Sequence, residues 1–177
     1  MKKVLLVASL LVMLVSCGKG SNGSETSTNK FIYSFIDSVE KAYPNRVGND
    51  AVCRKIIDDF GERIKGVPAE KLFDGIEFYV FGLRTSTVGN EFIAVFSLSP
   101  ENSGLHLSVN CDDIDEDFAL KMDKTKIYRI TGGTVQGTSS EAIMSEFEDV
   151  NLGDVIVSKI QVEEVPGKIH EPTGVEM

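Results

Sequence analysis

The two histidines, His106 and His170, are the first candidates for acid–base chemistry in this chain. His106 lies in a run of alternating apolar residues that predicts an outward position on a strand, and His170 lies in the C-terminal tail. Neither belongs to a motif, because the chain has no G-x-S-x-G elbow and no H-E-x-x-H pattern. The sequence therefore favours a non-enzymatic protein, and it predicts no catalytic residue and no cofactor.

The densest group of oxygen ligands is the acidic segment 110–117, which could hold Ca²⁺. An EF-hand loop needs a glycine at its sixth position, and this segment has none. Asp113 or Asp115 instead suits the N-cap of a following helix, and the other acids suit its positive end. We therefore predict a capped helix here and no metal site.

The glycine-rich stretch 132–137 resembles a phosphate-binding loop in composition only. A dinucleotide fingerprint lies between a strand and a helix, and a P-loop ends in Gly-Lys followed by Ser or Thr. This stretch continues a predicted strand, where glycines allow a tight barrel to bend. We favour bending over anion binding.

Cys53 and Cys111 are both predicted to be buried. Cys53 lies on the apolar stripe of a helix, and Cys111 continues a strand alternation. If the protein is exported, the two could form a disulfide in an oxidising compartment. Two buried free thiols are the alternative that we favour, since free cysteine is often buried.

The N-terminus has the pattern of an export signal. Lys2 and Lys3 precede an apolar run, Val4–Val15, that is too short to span a membrane. The run ends in Leu14-Val15-Ser16-Cys17, which resembles the lipobox of bacterial lipoproteins. That resemblance implies cleavage before Cys17, diacylglycerol and palmitate-type acylation on this residue, and attachment to a membrane through the lipid.

The expected location is thus the cell envelope, facing the periplasm or the surface, with the leaflet left open. The chain divides into five predicted parts. These are a signal peptide (1–16), a flexible tether (17–29), a helical pair (30–68), a barrel (75–165) and a disordered tail (166–177).

The net charge argues against a polyanionic partner. The chain has 18 basic and 27 acidic residues, for a formal charge of −9. Nucleic-acid binders present a basic patch that this sequence lacks. Tyr79, Phe81 and Tyr128 could stack on bases, but each suits a core position equally well. We expect no nucleic acid as a partner.

Apolar residues at helical spacing predict two helices, over 30–43 and from a cap at Asn49 or Asp50 to about Lys65. Gly61 weakens the second prediction. Strand-like runs follow at 76–86, 91–99 and 105–111. After a short helix at 115–122, two more runs cover 126–135 and 154–165.

The order of three strands, a helix and two strands, together with Ile127-Tyr-Arg-Ile-Thr-Gly-Gly-Thr-Val-Gln-Gly137, resembles small exported OB-fold lipoproteins of the "tRNA anticodon-binding-like" group. The resemblance implies an α+β domain in which a helical pair packs on a five-stranded antiparallel OB-like barrel. The alternative is a cystatin-like or NTF2-like helix with an open curved meander. A last strand that pairs with the first would favour the barrel.

The loop from Thr138 to Gly153 lies where OB folds often bind ligands. Its apolar residues Ile143, Met144 and Phe147 either contact a partner or close the core, and the second is the simpler interpretation. We predict a non-catalytic interaction or ligand-binding module, with an envelope protein as a possible partner. The alternative is a small exported enzyme or enzyme inhibitor acting in a cleft between helices and barrel.

Overall fold

The structure is a computed structural model, and it describes residues 30–85, 92–98, 105–139, 145–146 and 148–171. Cys17 and the lipobox lie outside these residues, as do Ile143, Met144 and Phe147. The elements in chain order are α1 (Lys30–Ala42), α2 (Asp50–Ile64), α3 (Ala69–Leu72), β1 (Phe78–Thr85), β2 (Phe92–Leu98), β3 (Leu105–Ile114), α4 (Glu116–Lys121), β4 (Lys126–Ser139) and β5 (Val150–Ile169).

The N-terminal helical pair forms close to its predicted bounds. Helix α1 buries the stripe Ile32, Phe35, Ile36 and Val39. Helix α2 is capped by Asn49, whose side chain accepts a hydrogen bond from the Val52 amide at 3.3 Å. Helix α3, which the sequence analysis did not predict, follows Pro68 and buries Ala69 and Leu72. Of the described helices, none is long and apolar enough to cross a membrane.

The five strands close into a barrel in the order β1-β2-β3-β5-β4, so the fold is α+β with helices N-terminal to a barrel. The pair β3–β5 is parallel and the other four pairs are antiparallel. Our prediction of an all-antiparallel barrel was therefore wrong. Directions cannot alternate all the way round a ring with an odd number of strands, so one neighbouring pair must be parallel. The closed ring also excludes the open meander, although β4 rather than the last strand pairs with β1.

The last two strands are longer than predicted. Strand β4 continues to Ser139, and β5 begins at Val150 and ends at Ile169. Residues 166–169, which we assigned to the tail, are therefore part of β5. The strand passes through Pro166 and Gly167, which interrupt the apolar alternation that strand prediction depends on.

The core fills the barrel and continues under the helical pair. Phe78, Val80, Phe96 and Val109 are fully buried inward-facing residues of three neighbouring strands. On the helical side, the rings of Phe35 and Phe60 lie 5.0 Å apart. Among the described Phe, Ile and Leu side chains, ten are at most 1% exposed: Ile32, Ile57, Phe60, Ile64, Leu72, Phe73, Ile76, Phe78, Phe96 and Leu152.

Strand β1 meets β4 only at Phe78 and Tyr79. Further along β4, the segment before α3 takes the place of β1. The Gly66 amide donates to the Val135 carbonyl at 2.8 Å, and the Val135 amide donates to the Val67 carbonyl at 3.2 Å. The helical pair is thus joined to the barrel by main-chain hydrogen bonds as well as by packing.

Candidate functional site

Four neighbouring strands place one polar side chain each in a row across the outside of the barrel. Tyr79 of β1 is opposite Ser97 of β2, Ser97 is opposite Ser108 of β3, and Ser108 is opposite Asp154 of β5. All four are partly exposed, whereas their strand neighbours point into the core. The Ser108 hydroxyl donates a hydrogen bond to the Asp154 carboxylate. This bond joins the two parallel strands.

The next row on the same surface is more apolar. Val95 of β2 is opposite Asn110 of β3, which is opposite Ile156 of β5. Phe81, at a register shift in β1, is 40% exposed beside them. We call these two rows the four-strand face.

Asn110 has an unsatisfied acceptor within this face. Its side-chain oxygen Oδ1 is shielded from solvent and has no hydrogen-bond partner among the described residues. Buried polar atoms in native proteins nearly always have a partner. Because Oδ1 is shielded from solvent, a molecule bound on the outer surface could reach it only after neighbouring side chains move.

His106 lies two residues before Ser108, and its Nε2 is 3.3 Å from a carboxylate oxygen of Asp149. The Ser108 hydroxyl donates to Asp154 and not to this imidazole. A serine nucleophile activated by histidine needs a bond between those two groups. Ser108 and Asp154 thus form one polar pair on the outside of the barrel, and His106 and Asp149 form another.

The sequence predicted that His170 lies in a disordered tail. In the structure this residue is only 8% exposed. Its ring stacks on Tyr79, with centroids 3.8 Å apart and planes at 14°. Its amide also donates to the Thr125 carbonyl at 2.9 Å. The two histidines thus have separate environments, one at the β3–β5 pair and one against β1.

Glu77, immediately before β1, is a buried carboxylate with two cationic partners. Its oxygens are 2.8 Å from Arg129 Nη2 on β4 and 2.6 Å from Lys168 Nζ on β5. Burial alone raises the pKa of Glu77, but the hydrogen bonds from Lys168 and Arg129 outweigh burial and hold this pKa below its usual value. Glu77 is therefore ionised at neutral pH and ties together three strands of the barrel.

The acidic segment 110–117 serves structure. Asp115 Oδ1 accepts from the Phe118 amide at 2.7 Å and caps α4, which confirms one of the two predicted caps. Asp113 accepts from the Lys159 amide at 3.2 Å. In the part of the chain that the structure describes, no three histidine, cysteine or carboxylate side chains are grouped to hold a metal ion.

The glycines of stretch 132–137 lie within β4 at the register shifts against β5. Gly133 has φ +127°, and a Cβ there would be 2.8 Å from Val157 Cγ1 and 3.1 Å from the Ser158 carbonyl oxygen. The position thus needs glycine for the close approach of two strands. This geometry supports barrel bending over phosphate binding.

Cys53 and Cys111 are buried free thiols in the structure. Burial, reinforced by nearby Asp50, raises the pKa of Cys53. Burial also raises the pKa of Cys111, with smaller contributions from Asp113 and Asp112. Both thiols are therefore protonated and weakly nucleophilic at neutral pH.

The loop between β4 and β5 is fixed to the helical pair at its described residues. The Gly48 amide donates to the Ser145 carbonyl at 2.6 Å, and the Ser145 hydroxyl donates to Asp50. Arg46 Nη2 donates to the Glu148 carbonyl at 2.5 Å. These bonds join the turn after α1 to the loop that the sequence identified as a possible partner-binding segment.

Tyr79, Phe81 and Tyr128, the predicted aromatic candidates, do not share one environment. Tyr128 is buried, and its hydroxyl accepts from the Asp123 amide at 2.9 Å. Sequence reasoning missed Ser108, Asp149 and Asp154. The alternation in β3 predicts that Ser108 points outward, but no local pattern shows that a distant segment will pair in parallel beside it.

No protein-family model, curated protein sequence or solved structure matches this chain.

Proposed function

We propose that this protein is a lipid-anchored envelope lipoprotein whose barrel is an OB-type binding module that uses the four-strand face. The observation that carries the binding role is the side-chain arrangement of that face. A row of hydroxyl and carboxylate groups, ending at Asp154, lies beside half-buried Val95 and Ile156. Binding sites commonly combine apolar area with a few fixed polar groups.

The finer fold assignment is supported by the order of elements. Three strands precede a helix and two strands, and β3 pairs with β5 when the ring closes. OB-type barrels bind ligands on the outer surface around their second and third strands. Strands β2 and β3 contribute Ser97, Ser108, Val95 and Asn110 to the four-strand face.

The chemistry of the face favours a partner that donates hydrogen bonds. Asp154 is partly exposed and nearby Asp112 is exposed, so both present carboxylate acceptors to solvent. These groups, and the net charge of −9, would repel a phosphate backbone. The proposed partner is an envelope protein or ligand with amide, amine or guanidinium groups and some apolar surface.

The binding role is tested by affinity capture from native envelope membranes with two matched variants. Val95→Arg adds bulk and charge in the centre of the four-strand face. Thr131→Arg places the same side chain at an exposed position of β4. We expect Val95→Arg to abolish recovery of a partner that wild type and Thr131→Arg both retain. Equal recovery by all three forms would contradict the use of this face.

The anchor is tested separately by metabolic labelling with palmitate. The Leu14-Val15-Ser16-Cys17 sequence supports lipid attachment at Cys17. We expect label in the wild-type protein and none in Cys17→Ala, which should also leave the membrane fraction. Equal palmitate label in wild type and Cys17→Ala would contradict lipid attachment at this residue.

A further inference from the structure

Strand β1 has one main-chain edge that no other described strand covers along its full length. It pairs with β2 over its whole length, from Phe78 to Thr85, but with β4 only at Phe78 and Tyr79. Because β4 begins at Lys126 and runs antiparallel to β1, β1 extends beyond the start of β4. Within the described ranges, no main chain pairs with residues 81–85 on the side away from β2. We call this segment the β1 edge.

The β1 edge offers the groups that an added strand needs. Its main-chain amides and carbonyls are strong hydrogen-bonding groups that require water or another strand. Five residues of a strand span about 17 Å, enough for a partner strand of similar length. Phe81 is 40% exposed, and Arg84 and Thr85 are exposed. The edge thus combines a backbone template with an aromatic side chain and a cation.

We propose that the β1 edge binds an extended segment of a partner protein by strand addition, with an acidic side chain near Arg84 and an apolar side chain against Phe81. In this mode of recognition, main-chain hydrogen bonds supply affinity and the neighbouring side chains supply specificity. Arg84 is the one charged residue of β1. It therefore selects for a carboxylate on the added strand.

A second copy of this chain fits the edge less well. The β1 edge of a second copy would bring another Arg84 and no carboxylate, because Arg84 is the one charged residue of β1. The register shift between Val80 and Gly82 also bends β1 at the start of the edge. Bulges and charged residues are the devices by which edge strands avoid pairing with themselves. The edge is thus restricted to a segment that complements Arg84.

The probe is a phage-displayed library of random linear ten-residue peptides, selected on the full chain carrying Cys17→Ala. Selected peptides are synthesised twice, once unmodified and once with N-methyl groups on alternate residues. N-methylation removes main-chain donors and keeps the side chains. We expect acidic, β-prone sequences whose affinity falls at least tenfold on N-methylation and which slow amide hydrogen exchange at residues 81–85.

Two charge variants locate the peptide on the protein. Arg84→Glu should weaken binding at least tenfold, and a peptide with lysine in place of its acidic residue should restore it. Thr131→Glu adds the same charge on exposed β4 and should change the affinity less than twofold. Peptide affinities are compared only between variants whose midpoint of urea denaturation equals that of the parent chain.

Three results would overturn the proposal. They are a selection that yields no binder, binders that tolerate N-methylation, and protection of amides outside the edge. A dimer that Arg84→Glu dissociates would make a second copy the occupant and would also refute the proposed partner. The N-methyl comparison needs no protein variant, so it stands even if Arg84→Glu fails to fold.

Discussion

The two sides of β4 are held in different ways. Towards β5, main-chain pairing runs from Lys126 opposite Ile169 to Ser139 opposite Asp154. On the other side, β4 pairs with β1 only at Phe78 and Tyr79, and the segment before α3 pairs with it further along, at Val135. Side chains complete this second boundary, because Glu77 binds Arg129 and Lys168, and Tyr79 stacks on His170.

The difference shows that one barrel can be closed by two kinds of interaction with different requirements. A long main-chain ladder needs backbones that can approach closely, so it depends on glycine at the register shifts. A short ladder supported by side chains needs particular charged and aromatic groups instead. The first boundary should be sensitive to added volume, and the second to loss of charge and to pH.

The largest effect is expected from Gly133→Ala at the β4–β5 boundary. The new Cβ would be 2.8 Å from Val157 Cγ1, and φ +127° is unfavourable for alanine. Strain and overpacking together should lower the free energy of unfolding by about 3 to 5 kcal/mol, measured by urea denaturation.

Gly48→Ala is the matched control. Gly48 also has positive φ, at +72°, but nothing lies within 4 Å of an added Cβ. The substitution should lower the free energy of unfolding only by the cost of a positive φ for alanine, about 1 to 2 kcal/mol. Similar losses of unfolding free energy in the two variants would show that the close approach of β4 and β5 does not contribute to the effect of Gly133→Ala.

The second effect concerns α2, which covers β4 where β1 is absent. Helix propensity predicts that Gly61→Ala stabilises by about 1 kcal/mol. The structure predicts the opposite, because the new Cβ would overlap Thr138 Oγ1, whose hydroxyl donates to the Ile57 carbonyl at 3.1 Å. We expect a loss of about 1 to 2 kcal/mol in urea denaturation.

A double-mutant cycle isolates this contact. In a Thr138→Ala background the overlapping hydroxyl is gone, so Gly61→Ala should cost at least about 1 kcal/mol less. Glu62→Ala, at the exposed next position of α2, should stay within about 0.5 kcal/mol of wild type. Stabilisation by Gly61→Ala would mean that helix propensity decides the effect.

The parts of the fold that depend on local pattern were predictable. Helical spacing gave α1 and α2, alternation gave the strands, and Asp115 was one of two predicted caps for α4. Gly61 weakened the α2 prediction because glycine has low helix propensity. The structure explains this glycine by its close approach to Thr138, which is distant in sequence. Propensity describes a residue's own chain segment and cannot include such a contact.

The candidate site depends on pairing between distant segments, so the sequence could not supply it. Ser108 meets Asp154 only because β3 and β5 run in parallel. Glu77 likewise needs partners on β4 and β5. Five strands cannot alternate in direction all the way round a closed ring, so the predicted strand number already required a parallel pair, which our expectation of an all-antiparallel barrel overlooked. That constraint identifies one parallel pair without saying which.

Glu77→Gln tests the side-chain boundary. The substitution keeps the shape but removes the charge that holds Arg129 and Lys168. Because these partners are 56% and 40% exposed, solvent screens the interaction, and we expect a loss of about 1 to 2 kcal/mol at pH 7. Glu164→Gln breaks the solvent-exposed pair with Lys126 and should leave the urea midpoint unchanged.

The pH dependence of this loss has a definite sign. The pKa of Glu77 is lowered in the folded protein, so its contribution is present above the unfolded-state pKa and is lost as the pH falls through the folded-state pKa. Urea denaturation should give the same difference between wild type and Glu77→Gln at pH 7 and pH 5. The difference should shrink below about pH 4. A difference that disappears between pH 7 and 5 would show that another group is responsible.

The smallest expected effect on stability tests whether residues 166–171 form an ordered strand end or a frayed tail. His170 is buried and stacked on Tyr79, whereas its neighbour Ile169 is 68% exposed. His170→Ala should lower the free energy of unfolding by about 1 kcal/mol, because it removes a stacked ring from the β1–β4 boundary. Ile169→Ala should change it by less than about 0.5 kcal/mol in the same urea measurement. If residues 166–171 formed a frayed tail, both substitutions would be neutral, so a loss specific to His170 supports closure of this boundary by side chains.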